Sequence, residues 1–220
     1  MLFLHGYLSS KEAFLYQIQY FSAFYRVTAI DFLGFGNSEK LNEPFSVSDY
    51  ADWLKSAMQK LGIEKPCVIA HSFGCRVAVK TASKDSDVFD KIVLTGPAGI
   101  IINRGLSYKI KVKAYRFVKK FFPRYADKRF GSREYRSLSP IMRESYKKIV
   151  NEDLREDAKK VENSVLIIQG KDDKTTTERE AQIYLESFPN AKLIKTNGGH
   201  FSFVEYPTNF NLIVEEFLYE

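Results

Sequence analysis

The chain has 220 residues, 45% of them apolar, with 33 Lys and Arg against 27 Asp and Glu for a formal net charge of +6. That length suffices for one α/β domain with an inserted subdomain, and no composition shift marks a second independent core. The opening apolar residues are too few for a signal-peptide core and no apolar run reaches spanning length, so a soluble, cytoplasmic protein is expected.

Taken in chain order, residues 1–4 form a strand stub that runs into His5-Gly6-Tyr7, and residues 26–30 form a second apolar strand. Ser46 with Asp49 reads as a capping box opening a helix that closes near Leu61-Gly62, with Trp53, Leu54, Ala57, Met58 and Leu61 at helical spacing on its core face. Residues 66–70 are an apolar strand leading through His71-Ser72-Phe73-Gly74 into a helix that begins near Cys75. Ser72 therefore sits on a sharp strand-to-helix turn, which strains its backbone, lifts its hydroxyl above the strand end and requires small neighbours. A helix-capping serine is the ordinary alternative. Cys67 and Cys75 flank this turn where small buried residues are wanted, and a disulfide between them is not expected.

Further on, Lys91–Thr95 is a strand entering Gly96-Pro97-Ala98, and residues 164–169 are another, ending in Gly170-Lys171-Asp172-Asp173. Ala191–Thr196 is the last strand and ends in Asn197-Gly198-Gly199-His200-Phe201. Strands alternating with helices imply a parallel sheet covered on both faces. Ser72, two carboxylates and His200 then follow the carboxyl ends of different strands, along one sheet edge. A serine nucleophile needs a base to take its proton and an acid to orient that base, and both residue types are present in the order Ser, Asp, His.

Four segments carry a resemblance to the α/β-hydrolase superfamily: Leu4-His5-Gly6-Tyr7, the loop from Asp31 to Ser38 with its D-x-x-G-x-G-x-S spelling, the Ala70-His71-Ser72-Phe73-Gly74 elbow and Gly199-His200-Phe201. The elbow, with Ala70 replacing the usual first glycine, the Gly96-Pro97-Ala98-Gly99 segment and the stretch Gly131 to Leu154 resemble a bacterial subgroup. The resemblance implies Ser72 as nucleophile, His200 as base and later acid, and Asp173 as the residue orienting the imidazole, with Asp172 the alternative. It also implies an oxyanion hole from the backbone N–H groups of Tyr7 and Phe73, with His5 bracing its loop and His71 packing beneath the elbow. Phe32, Leu33 and Phe201 are expected as pocket walls.

Most members of the superfamily carry further strands before the HG loop, and here either those strands are absent or the sequence begins late. If they are absent, the strand at residues 26–30 becomes a sheet edge, for which a marginally stable protein, or one that pairs along that edge, is expected.

The expected domain layout is a core of residues 1–97 and 161–220 with a helical cap at 98–160. Residues 104–160 hold 18 Lys and Arg against 7 Asp and Glu, so the cap is basic and the body slightly acidic. Within residues 106–122, Ile110, Ala114, Phe117, Val118 and Phe121 fall on one helical face, with Lys109, Lys113, Arg116 and Lys120 largely elsewhere. That helix packs on the body with its cations solvated or, alternatively, meets an anionic substrate or membrane surface. No motif for nucleic acid accompanies the charge.

The expected function is hydrolysis of an ester or related acyl bond in a small to medium hydrophobic substrate through an acyl-Ser72 intermediate, with no metal or organic cofactor. Alternatives are a non-catalytic binding module of the same fold, and a lipase or carbon–carbon hydrolase using the same three residues.

Overall fold

The computed structural model describes residues 1–102 and 137–220. Its centre is a sheet of six parallel strands: β1 (Leu2–Leu4), β2 (Thr28–Ile30), β3 (Val68–His71), β4 (Lys91–Thr95), β5 (Ser164–Gly170) and β6 (Ala191–Thr196), in the spatial order β2-β1-β3-β4-β5-β6. As the sequence implied, β2 is an outermost strand.

Side chains along a strand alternate between faces, and the strands use both for burial. Leu2, Leu4, Val68, Ala70, Ile92, Leu94, Val165 and Ile167 enter one core; Phe3, Ile69, Val93, Leu166 and Ile168 enter the other. Each Val, Leu, Ile or Phe among them, fully withdrawn from water, contributes about 1.5–3 kcal/mol. The sheet therefore cannot slip by one residue without exchanging its two cores.

The first core is covered by α2 (Val47–Lys60) and α3 (Phe73–Lys84), and by α4 (Pro140–Val150), α5 (Arg155–Ala158) and α6 (Glu178–Ser187). The second is covered by α1 (Leu15–Phe21), α7 (Ser202–Glu205) and α8 (Pro207–Tyr219). Helix α2 starts at the capping box read from the sequence, with the Ser46 hydroxyl accepting from Asp49 N–H and the Asp49 carboxylate accepting from Ser46 N–H. It ends in a Schellman pair, Ile63 N–H to Met58 carbonyl at 2.9 Å and Gly62 N–H to Gln59 carbonyl at 3.2 Å. Leu54 and Met58 are buried as expected, but Leu61 is 49% exposed, because the helix stops at Lys60 and the chain turns away there.

Helices α4 and α5 belong to the insertion between β4 and β5 and are tied to α3 at its buried face. Lys80 bridges Asp157 and Glu152, each at 2.9 Å, and Arg76 Nη1 donates to the carbonyls of Ile149 (2.9 Å) and Glu152 (2.8 Å). The amphipathic helix expected at residues 106–122 lies outside the described residues.

Candidate active site

Ser72 occupies the turn between β3 and α3 with φ 49° and ψ −106°, a conformation that costs a side-chain-bearing residue about 1–3 kcal/mol. Its surroundings hold it there: Ser72 N–H donates to the Thr95 carbonyl and Cys75 N–H to the Ser72 carbonyl, both at 3.1 Å. Gly74 permits the turn, since a Cβ on it would stand 2.3 Å from the Leu4 carbonyl oxygen. The strand and helix could not otherwise approach so closely. Buried Cys75 has its thiol pushed up by desolvation, and both cysteines are free.

Asp173 lies in the turn after β5. One carboxylate oxygen accepts from Thr175 N–H (2.7 Å) and Thr176 N–H (3.0 Å); the other accepts from the Thr176 hydroxyl (2.8 Å) and contacts His200 Nδ1 at 2.8 Å. Burial acts to raise the Asp173 pKa, but the hydrogen bond and charge of His200 and the bonds from Thr176 outweigh it and hold the carboxyl below its usual range. An ionised acceptor at Nδ1 fixes the imidazole tautomer with its proton on Nδ1, leaving the Nε2 lone pair for other work. Gly96, with φ 52°, makes room for the pair; a Cβ there would stand 3.0 Å from His200 Nδ1. Asp172 is exposed, and its N–H ties its loop to the Gly198 carbonyl at 2.9 Å.

The other two histidines have bracing positions. His5 Nδ1 donates to the Gly6 carbonyl (2.7 Å) and its Nε2 accepts from Phe32 N–H (3.0 Å), which defines a neutral ring; burial lowers its pKa. His71 is buried beneath the turn, 4.7 Å from the His200 ring, and its Nε2 bonds the His200 carbonyl at 2.9 Å. Desolvation, with the neighbouring His200 charge, lowers its pKa to about 3.

A cleft of about 990 Å³ opens over these loops, lined by Tyr7, Ser72, Phe73, His200 and Phe201 among others. Phe73 is the first residue of α3, where a backbone N–H has no partner within the helix. Phe201 is 43% exposed at the cleft. Phe32 and Leu33 are not among its described lining residues. Phe32 is fully buried between His5, Tyr50, Trp53 and Phe73, and Leu33 packs against the same core while its carbonyl accepts from the Tyr50 hydroxyl at 3.0 Å. The chain turns inward after β2, so these residues build the floor's support and not its surface.

Sequence reasoning passed over Thr176, which donates to Asp173, and Glu205, whose carboxylate accepts from Gly199 N–H at 2.8 Å and so holds the histidine loop. Neither sits in a motif, although a hydroxyl three residues after the acid was a readable signal. Among the described residues no group of three or more His, Cys, Asp or Glu is arranged to hold a metal ion, and no helix is long and apolar enough to cross a membrane.

A probable lysophospholipase, BODYGUARD 4 of Arabidopsis thaliana, is 31% identical over 117 residues, covering 47% of this chain and 28% of that protein, so the match spans little more than a quarter of its length. A 2-hydroxymuconate semialdehyde hydrolase of Pseudomonas putida is 26% identical over 217 residues, covering 89% of this chain and 77% of that protein. An esterase from Exiguobacterium antarcticum superimposes with a TM-score of 0.80 at 20% identity, over 100% of this chain and 91% of that one, and shares the fold. With the family model for the alpha/beta hydrolase fold matching residues 1–138, on a parallel sheet whose strand ends carry the serine turn and the Asp–His pair, the chain belongs to the alpha/beta hydrolase family.

Proposed function

We propose that this hydrolase cleaves an ester or related acyl bond through a covalent acyl-Ser72 intermediate. The supporting observation is the 2.8 Å contact between His200 Nδ1 and Asp173, on a histidine that lines the same cleft as the strained Ser72 turn. In this reading Ser72 Oγ attacks the acyl carbon while His200 Nε2 takes its proton, and the Asp173 carboxylate stabilises the imidazolium that forms. The backbone N–H groups of Tyr7 and Phe73 receive the developing oxyanion, a contribution on the order of 3 kcal/mol for each well-placed donor. His200 then hands the proton to the departing alkoxide as the carbon–oxygen bond breaks. A water molecule, deprotonated by the same imidazole, attacks the acyl-serine and releases the acid.

The partner is a small-molecule acyl substrate held in the cleft, to whose lining the insertion contributes Leu138, Tyr146 and Ile149. Labelling with a fluorophosphonate probe tests the reading, with Ser72→Ala as control and turnover followed across acyl chain lengths. Wild-type protein labels and Ser72→Ala does not, with a loss of turnover on the order of 10³-fold or more. A folded wild-type protein that neither labels nor turns over any acyl ester is instead a binding module.

A further inference from the structure

Arg76 lies one helical turn after Ser72, lines the same cleft and is only 7% exposed. Its Nη1 is committed to the Ile149 and Glu152 carbonyls, at 2.9 and 2.8 Å, which anchors α4 to α3. A guanidinium has five donors, and those two bonds leave Nε–H and both Nη2 hydrogens, a side-on fork of the shape that a carboxylate fills. Among the described residues no group bonds Arg76 Nε or Nη2, and Arg76 lines the cleft.

The charge of that fork is not neutralised by a direct partner among the described residues. Glu152, Asp153 and Glu180 act on it only at a distance, and each is engaged elsewhere. The Glu152 carboxylate pairs with Lys80 at 2.9 Å, and that of Asp153 pairs with Arg155 at 3.2 Å while accepting from Ile101 N–H. The Glu180 carboxylate, although at the cleft, accepts from Thr177 N–H and hydroxyl at 2.6 and 3.0 Å. Tyr184, the remaining neighbour, spends its hydroxyl on the Ala98 carbonyl at 3.0 Å. A buried cation without an ion-pair partner is costly, and anchoring two carbonyls would be served as well by a neutral amide. Exposed Lys174 adds a second positive charge at the cleft and makes no ion pair among the described residues.

We propose that Arg76 is an anion subsite of the cleft and that the acyl substrate therefore carries a carboxylate, gripped by Nε and Nη2 while Ser72 attacks the acyl carbon. The chemical class is a monoester or related monoacyl derivative of a dicarboxylic acid. This deepens the acyl-hydrolase reading and rests on it for the turnover, but not for the binding.

Two measurements keep those apart. In the first, aryl monoesters of glutaric, adipic, pimelic and suberic acid are compared with neutral aryl esters of equal acyl carbon number, each rate corrected with Ser72→Ala for spontaneous hydrolysis. At the best chain length kcat/KM favours the charged ester by about tenfold or more, chiefly through KM, as a charge-assisted fork supplies. The ratio of charged to neutral kcat/KM collapses towards one in Arg76→Met and is partly kept in Arg76→Lys. Because the ratio is taken within one variant, a general loss of folded protein cancels. In the second, Ser72→Ala is titrated with monomethyl adipate and with methyl hexanoate; the charged ligand binds about tenfold tighter, and Arg76→Met removes the difference. Equal ratios in wild type and Arg76→Met, or equal binding of the two ligands, overturns the subsite. Tighter binding of the charged ligand without labelling or turnover upholds the subsite and overturns the hydrolase reading alone.

Discussion

The two adjacent carboxylates after β5 have different fates, and the difference is a direct test of the site. Asp173 accepts four hydrogen-bond contacts including that of His200, whereas Asp172 faces solvent. Asp173→Asn presents an amide to Nδ1 and favours the wrong imidazole tautomer, so kcat should fall by about 10³–10⁴-fold with little change in the melting profile. Asp172→Asn should stay near wild type in the same esterase assay; the reverse pattern would transfer the role to Asp172. Thr176→Val removes one donor from Asp173 and should cost less, on the order of tenfold. The sequence could point to Ser72, Asp173 and His200 because their types, neighbours and chain order are local information. Thr176 was readable only as a hydroxyl three residues after Asp173, and Arg76 not at all, because its meaning comes from the carbonyls that the insertion brings to it. Phe32 and Leu33 misled for a similar reason: residues beside a motif resemble pocket walls until the direction of the chain after β2 is known.

At the level of elements, the start of α3 packs directly against the end of β1. Gly74→Ala would drive a methyl group to 2.3 Å from the Leu4 carbonyl oxygen, and that backbone atom cannot swing aside as a side chain could. A loss of about 1–3 kcal/mol is expected in urea unfolding, accompanied by reduced turnover, because the relief available is to move the helix that carries Ser72. Stability equal to wild type would show that β1 and α3 can separate without strain. Element identity was legible to the residue for Lys91–Thr95 and Ala191–Thr196, where apolar runs end abruptly in Gly, Pro or Asn. Helix α2 was legible from its capping box to its close near Leu61-Gly62, and only the exposure of Leu61 was not, because that residue keeps the helical spacing after the helix has stopped. The spatial order of the strands is absent from any local pattern. Likeness to a family supplied only the edge position expected for residues 26–30, and the order itself came from the structure.

For the molecule as a whole, the same burial that positions the site makes the fold sensitive to acid. His71 is enclosed between β3, the histidine loop and Phe203, with His5, His200 and Asp173 the charged or titratable groups acting on it. Desolvation lowers its pKa to about 3, and burial lowers that of His5 as well. In the unfolded chain both rings take up a proton near the ordinary histidine value of about 6.5. Between that value and about 3 the unfolded state therefore binds more protons than the folded one, so stability rises with pH across the window and is lost as pH falls through it. Depressed carboxylates such as Asp173 and Asp31 act in the same direction at lower pH, since their contribution is present above the unfolded carboxylate range and disappears as they protonate. Urea midpoints should accordingly drop steadily from about pH 7 to about pH 4.5. His71→Asn, whose amide can still donate to the His200 carbonyl, should flatten that slope by roughly one proton. A slope unchanged by the substitution would mean that the ring is charged inside the folded protein, and the packing of His71 against the His200 ring would then have to open to admit it.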